Sequence, residues 1–435
     1  MLYRYMAGAV AARTGDEMSG PALLVAGLAV TGSPLTASWL LAGLTVSAAF
    51  GGPLLGVLLD RARRPGRLLA CCLLGYATGL LLVLYGLGRV PDAALIGVAV
   101  VAGLLGPALT GGWTAQLPRV AGPERLSRAN ALDSMSYNVA GLAGPAVVGL
   151  VASAGGGTAT VLVCAGLLVA ALPAAWSLPP VRARSAAPAA VPASPATVCA
   201  HPAAPAAPAA PGSPGSPGDG GAAGRGRAIR VELIEGFAVI WRNATLRRAT
   251  AGSAVSCCGL AMLVVSAPVR GAELTGESGH GALLLAVTAA SGLAANAVIA
   301  AWGRVRRWDR VLVRGTAVLG AGMALAAGAG TFWAAVVAAA VAGAGEGPQL
   351  TALFSVRHRE APARLRSQVF TTGASLKITS FAIGSALAGP LAAYSASSTL
   401  VAGAVLQAVA VAVLTAGRRD KGSPGEASRS ARGGR

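Results

Sequence analysis

Across 435 residues, only 12% carry charge, 54% are apolar, and mean hydropathy is +0.64. A soluble chain of this length needs more charge to cover its surface, so a water-soluble globular protein is excluded. A net charge of +19 would suit a nucleic-acid binder if it formed one basic face, but the basic residues fall in short clusters between charge-free runs.

The chain begins with a hydrophobic stretch behind Arg4. Arg13, Asp16 and Glu17 interrupt it, so it reads as a retained first span rather than a cleaved signal segment. No Asp, Glu, Lys, Arg or His occurs over 18–59, 68–88, 93–118 or 134–181, nor over 249–269, 281–303, 315–345 or 378–417. A bilayer core of roughly 30 Å takes about 20 helical residues, so the four longest runs each allow two crossings. Each has a break: Gly32-Ser33-Pro34, Gly155-Gly156-Gly157, Gly328 to Gly330, and Ser395 to Ser398. The expectation is an all-α integral membrane protein of twelve spans, six on each side of the chain's middle.

Arginine and lysine cluster in the even-numbered loops and the C-terminal tail, while the odd-numbered loops carry only Arg89 and Arg270. That asymmetry predicts cytoplasmic termini in a cell membrane, so the charge serves to orient the chain. Cys71, Cys72, Cys164, Cys257 and Cys258 sit inside apolar spans and Cys199 in a linker, without metal or disulfide spacing.

Between the halves, residues 179–228 are rich in Ala, Pro, Gly and Ser, with eleven prolines from Pro179 to Pro217, which predicts a linker without a core. Ile229, Leu233, Phe237, Ile240 and Trp241 then share a helical face, interspersed with Arg230, Glu232, Glu235 and Arg242. This predicts an amphipathic helix on the membrane surface. The expected division is a bundle over 1–178, linker and surface helix over 179–245, a second bundle over 246–417, and a basic tail over 418–435. Arg125-Leu126 followed by Gly144-Pro145 matches Arg364-Leu365 followed by Gly389-Pro390, each on the fifth span of its half, as in a parallel repeat.

Between the second and third spans the chain reads Gly56-Val57-Leu58-Leu59-Asp60-Arg61-Ala62-Arg63-Arg64. This resembles the loop signature of the major facilitator superfamily, Gly-x-x-x-Asp-Arg-x-x-Arg-Arg. Gly56 would let two helices approach and Asp60 would cap or pair at a helix end. Gly303 to Arg310 looks like a degenerate copy. Gly15-Asp16, Thr31 to Pro34 and Arg125 to Leu132 resemble bacterial exporters related to siderophore and macrolide permeases. Gly144, Pro145 and Gly149 resemble the antiporter signature Gly-Pro-x-x-Gly-Gly, with one extra residue and one glycine missing. There Pro145 would bend a helix that seals the cavity on one side. The resemblance implies two six-helix bundles around a central cavity. The arginine that many proton-coupled drug exporters carry in the fourth span is absent.

Ionisable groups at bilayer depth are costly and mark candidate sites. Arg13, Asp16 and Glu17 share one face of the first span. Asp16 lies twelve residues from Arg4, about 18 Å along the helix. Pro21 leaves the Glu17 carbonyl without its helical partner. Glu346 lies eleven residues from Arg357, and Lys377 eleven from Arg366. Spacing predicts that Arg13 pairs with Glu17, leaving Asp16 and Glu346 as coupling carboxylates. Asp133, five residues past Arg128, reads as interfacial, and Trp113, Gln116, Tyr137 and Asn296 are candidate cavity lining. His201, His280 and His358 lie in or beside loops, and no metal cluster, nucleophile motif or paired aspartates appear, which argues against an enzyme. The expectation is a monomeric secondary transporter without cofactor. It would export a small organic molecule such as a drug, antibiotic or siderophore in exchange for protons. Uptake by the same fold is the alternative, and a sensor or scaffold accounts poorly for the mid-membrane charges.

Overall fold

The computed structural model describes residues 1–32, 34–180, 222–276, 279–302, 305 and 307–416. Most of the Ala/Pro-rich linker, the tail, Ser33, and Gly303, Arg304 and Arg306 of the degenerate loop copy lie outside the described residues.

Among those residues every secondary-structure element is a helix. In the first half, α1 (Leu2–Thr31), α2 (Pro34–Arg61) and α3 (Pro65–Gly86) are each long enough for one crossing. A run from Asp92 to Trp176, 85 residues long, contains α4 (Asp92–Gly103), a π-helical turn (Ala108–Gly112), α5 (Leu117–Ala170) and α6 (Leu172–Trp176). Within α5 the helical path breaks at Gly122 and Gly156, where φ is 70° and 72°. A positive φ is open to glycine and strained for other residues, so the break between the fifth and sixth spans falls at Gly156. The run therefore holds three spans.

After the linker, α7 (Ala222–Arg242) precedes α8 (Ala244–Thr275), α9 (Gly279–Trp302), α10 (Trp308–Ala327), α11 (Phe332–Glu360), α12 (Arg366–Tyr394) and α13 (Ala396–Thr415). The helix starts have local causes. The Asn243 side chain accepts from the amides of Thr245 and Leu246, the Thr331 hydroxyl from that of Ala334, and the Ser395 hydroxyl from that of Ser398. Pro65 opens α3 at a position that needs no amide donor.

The twelve spans form two six-helix bundles, the first α1 to α6 and the second α8 to α13. Leu23, Leu40, Leu73, Leu80 and Leu168 are buried in the core of the first, and Met262, Leu319, Met323 and Leu400 in that of the second. Hydrocarbon tails are as apolar as these side chains, so close packing of small residues must supply much of the attraction between helices. The bundles meet along α2 with α12 and along α5 with α9.

Helix α7 lies across the face that carries the N-terminus, hereafter the N-face. Ile240 packs with Leu246, Ala361 and Val369, while Val231, Ile234, Phe237 and Trp241 stay exposed along the opposite side. Glu235 accepts a hydrogen bond from Arg364 at the α12 entry, which holds its carboxyl below the usual range.

Candidate functional site: charges within and between the bundles

The mid-depth charges fall into two groups. The first is a closed knot inside the N-terminal bundle. Arg13 and Asp133, 1% and 0% exposed, form an ion pair at 3.0 Å. Arg13 also donates to the Asp133 carbonyl at 2.9 Å, to Thr114 Oγ1 at 2.8 Å and to Ser136 Oγ. Asp133 accepts further from Tyr5 OH at 3.0 Å and Thr114 Oγ1 at 2.8 Å. The guanidinium lies 3.8 Å from the centroid of the Tyr137 ring. Two expectations are corrected here. Arg13 pairs with Asp133 rather than Glu17, and Asp133 is buried rather than interfacial. The cause is tertiary: Gly144 of α5 packs directly on Glu17, where a Cβ would meet Glu17 Cβ at 2.8 Å. This close approach brings the α5 carboxylate up to α1. The fourth span, lacking its own arginine, receives a guanidinium from α1 through Thr114.

The second group is open and spans both bundles. Glu17 is crowded by protein yet exposed, as a side chain facing an internal space would be, and Glu346 and Lys377 are partly exposed. Lys377 of α12 acts electrostatically on both Glu17 of α1 and Glu346 of α11, and all three act on Cys257 of α8. Among the described residues, neither carboxylate comes within ion-pairing distance of the amine. Asp16 turns the other way, into its own bundle. There it faces Tyr76 of α3 and lies beside Gly106. The N-terminal-bundle carboxylate within electrostatic reach of Lys377 is therefore Glu17, not Asp16.

Between these charges and the N-face the bundles are sealed. Asp60 accepts the backbone N–H groups of Ser367 and Gln368, each at 2.9 Å, and so caps the first turn of α12 across the bundle boundary. Gly56, one turn earlier, touches the Gln368 backbone, where any side chain would collide. Arg64 is exposed and Arg61 ends α2. Gln116 donates to Ser367 at 3.4 Å, Asn130 to Ser355 at 3.1 Å, and Ser134 bonds Thr351. Deepest of all, the Gly52 amide donates to Ser375 at 3.1 Å, and Ser375 donates to the Ala48 carbonyl. These hydrogen bonds between the bundles run from the N-face to the level of Ser375. On the far side, Gly141, Gly149 and Gly389 have open space around them.

The candidate lining residues are placed differently from expectation. Trp113, Gln116 and Asn296 are buried in helix contacts rather than lining open space, and Tyr137 is half-buried between Arg13 and Phe354. Sequence reasoning missed the polar stripe Asn130, Ser134 and Asn138 of α5, which faces Ser355, Thr351 and Gly292. A four-residue spacing of polar groups on an apolar span was the available signal.

Twelve spans in two bundles, with ionisable groups at mid-depth where the bundles meet, define a membrane transporter. The chain matches the Major Facilitator Superfamily over residues 5–377 and belongs to it. It is thus a multi-pass transporter and not an enzyme. No curated protein sequence matches it. Among solved structures it resembles the proton:xylose symporter XylE at 10% identity, covering 94% of each chain with a TM-score of 0.65. It resembles the E. coli fucose:proton symporter FucP at 13% identity, covering 97% of this chain and 98% of that one, TM-score 0.65. A bacterial homologue of the iron transporter ferroportin matches at 14% identity over 96% and 99% of the two chains, TM-score 0.64. At such identities the likeness is one of fold.

Proposed function

We propose that this transporter exports a small organic molecule from the cell by exchange with protons, as a monomer with both termini in the cytoplasm. The observation that carries the reading is the pair of unpaired carboxylates, Glu17 and Glu346, facing Lys377 from opposite bundles above a sealed N-face. A carboxylate without a direct cation in a poorly solvated site tends to hold a proton, and it can exchange that proton as the site opens to each side in turn. The arginine asymmetry supports a cytoplasmic N-face, so the state described would be open outward. Export is favoured over uptake by the resemblance of Gly144-Pro145 to the antiporter signature, and Gly144 also bears directly on Glu17. Bending at Pro145 then acts on a coupling residue. The drug, antibiotic or siderophore class rests on the exporter resemblance. Uptake remains the second reading, since XylE and FucP are proton symporters.

The test is accumulation measured in a deletion strain and its complemented parent across a panel of toxic compounds, with and without an uncoupler. Export predicts higher intracellular levels in the deletion strain and loss of the difference with uncoupler; lower levels in the deletion strain would establish uptake. For orientation, cysteines at Gly156 and Ser397 should react with an impermeant thiol reagent added outside, and one at Ala361 should not. The reverse pattern would overturn the topology.

A further inference from the structure

We infer that α7 is a latch set by the membrane: its outer face binds an anionic phospholipid surface, and its inner face holds the N-face seal shut. The inner contact centres on Gln368. Asp60 of α2 accepts its backbone N–H at 2.9 Å, and Gly56 of α2 lies against its backbone. The side-chain amide of the same residue lies on Gly236 of α7, where no side chain would fit, and its Nε2 donates to the Leu233 carbonyl at 3.1 Å. Arg364 adds an ion pair to Glu235 of α7. Gln368 is thus held between α2 and α7 at the residues that join the two bundles. Helix α7 touches α2 as well as α12. Separating those two spans at this end breaks its contact with one of them, so a fixed α7 opposes opening.

The outer contact follows from what this anchoring leaves uncovered. Gly236 and Ile240 are buried against the seal, while Val231, Ile234, Phe237 and Trp241 point away from it, Ile234 68% and Trp241 64% exposed. Charge selects the occupant of that face. Residues 222–248 hold six arginines against two glutamates, with no lysine or aspartate. Arg242 and Arg247 are exposed beside Trp241, and Arg247 donates to the Trp241 carbonyl at 2.7 Å. An apolar stripe ending in tryptophan among arginines suits a headgroup layer, where acyl chains cover the stripe and phosphates meet the guanidinium groups. The bilayer also adjoins this place. Phe50, Leu54 and Leu58 form an exposed apolar stripe on α2 that runs down to the level of Gly56 and Asp60. An anionic leaflet attracts each nearby arginine and a neutral one does not, so lipid charge sets how firmly α7 is fixed. The inference concerns the seal and holds for export and uptake alike.

The test uses full-length protein without native cysteines, in nanodiscs of phosphatidylcholine alone or mixed with phosphatidylglycerol. A bimane label on Ile234→Cys reports whether the outer face meets acyl chains, read as quenching by brominated lipid. The rate at which Ser367→Cys reacts with uncharged N-ethylmaleimide reports the seal. In the anionic discs quenching deepens and the Ser367→Cys rate falls severalfold, and high salt diminishes both effects. Combining Phe237→Gln with Trp241→Gln removes the difference in rate between the two lipids. Absence of quenching in both lipids shows that something other than a bilayer covers the face, and overturns the inference. Equal quenching in the two lipids overturns the choice of anionic phospholipid. Lipid-dependent quenching with an unaltered Ser367→Cys rate overturns the latch, as does a rate difference that persists in the double variant. The lipid comparison needs only the reporter cysteines, so it decides the matter even where the double variant does not fold.

Discussion

Arg13 with Asp133 and Lys377 with Glu17 and Glu346 use the same chemistry to opposite ends. The first pair lies inside one bundle, is almost fully buried and is surrounded by hydrogen-bond partners from α1, the fourth span and α5. The second set lies between bundles, is partly exposed, and its members act on one another without contact. A bundle that moves as a rigid body can close its charges permanently. On the proposed function, the second set serves two conformations and exchanges a proton, and it could not be closed in this way, because a tight buried pair resists separation. The location of a charge relative to the bundle boundary decides its use.

That contrast can be broken most directly at Arg13. Arg13→Ala leaves Asp133 buried without its cation, which costs about 3–5 kcal/mol. Folded protein recovered by size exclusion should fall sharply. Adding Asp133→Ala should restore a large part of the loss, because no lone charge then remains. Wild-type recovery of the single variant would show that the knot does not hold the bundle.

The next effect is on coupling and leaves folding intact. Glu17→Gln and Glu346→Gln should each be recovered at wild-type levels, since neither residue has an ion-pair partner to abandon. The coupling variant should lose proton-driven accumulation in vesicles while keeping exchange down a concentration gradient. If Glu17→Gln, Glu346→Gln and Asp16→Asn all accumulate substrate at wild-type rates with unchanged pH dependence, the open set is structural and the comparison collapses.

Asp60 should give a smaller change. Asp60→Ala removes two hydrogen bonds from a charged acceptor to the start of α12, each worth about 1.5–3 kcal/mol. The N-face seal should open more often. A cysteine at Ser367, buried beside Asp60, should then react faster with a maleimide added from the N-face, in a background without native cysteines. An unchanged rate would remove Asp60 from the seal.

The smallest effect concerns α7. Arg364 lowers the Glu235 carboxyl below its ordinary value, so this contact contributes above about pH 4.3 and is lost as pH falls through the lowered value. The pair is half-exposed and screened by solvent, so its contribution is slight. Amide-exchange protection of α7, compared with Glu235→Gln, should converge with the variant in acid and exceed it modestly at neutral pH.

The number of spans, the four breaks and the family were legible in the sequence, because the constraints behind them are local. A bilayer requires about 20 uninterrupted apolar residues per crossing, and Gly32, Gly156, Gly328 and Ser395 stand where such runs exceed one crossing. Gly56 and Asp60 were legible as a motif, but the partner of Asp60 was not: the Ser367 and Gln368 amides lie 307 and 308 residues away. The Arg13 pairing was decided by tertiary structure alone. Helical spacing offered Glu17 four residues on, whereas the bundle supplied Asp133 from 120 residues further along the chain. Spacing reports only which groups share a face of one helix. Which face meets which neighbour depends on how closely two helices approach, here through the missing side chain at Gly144, and that approach turned Glu17 toward the other bundle and Asp16 toward Tyr76.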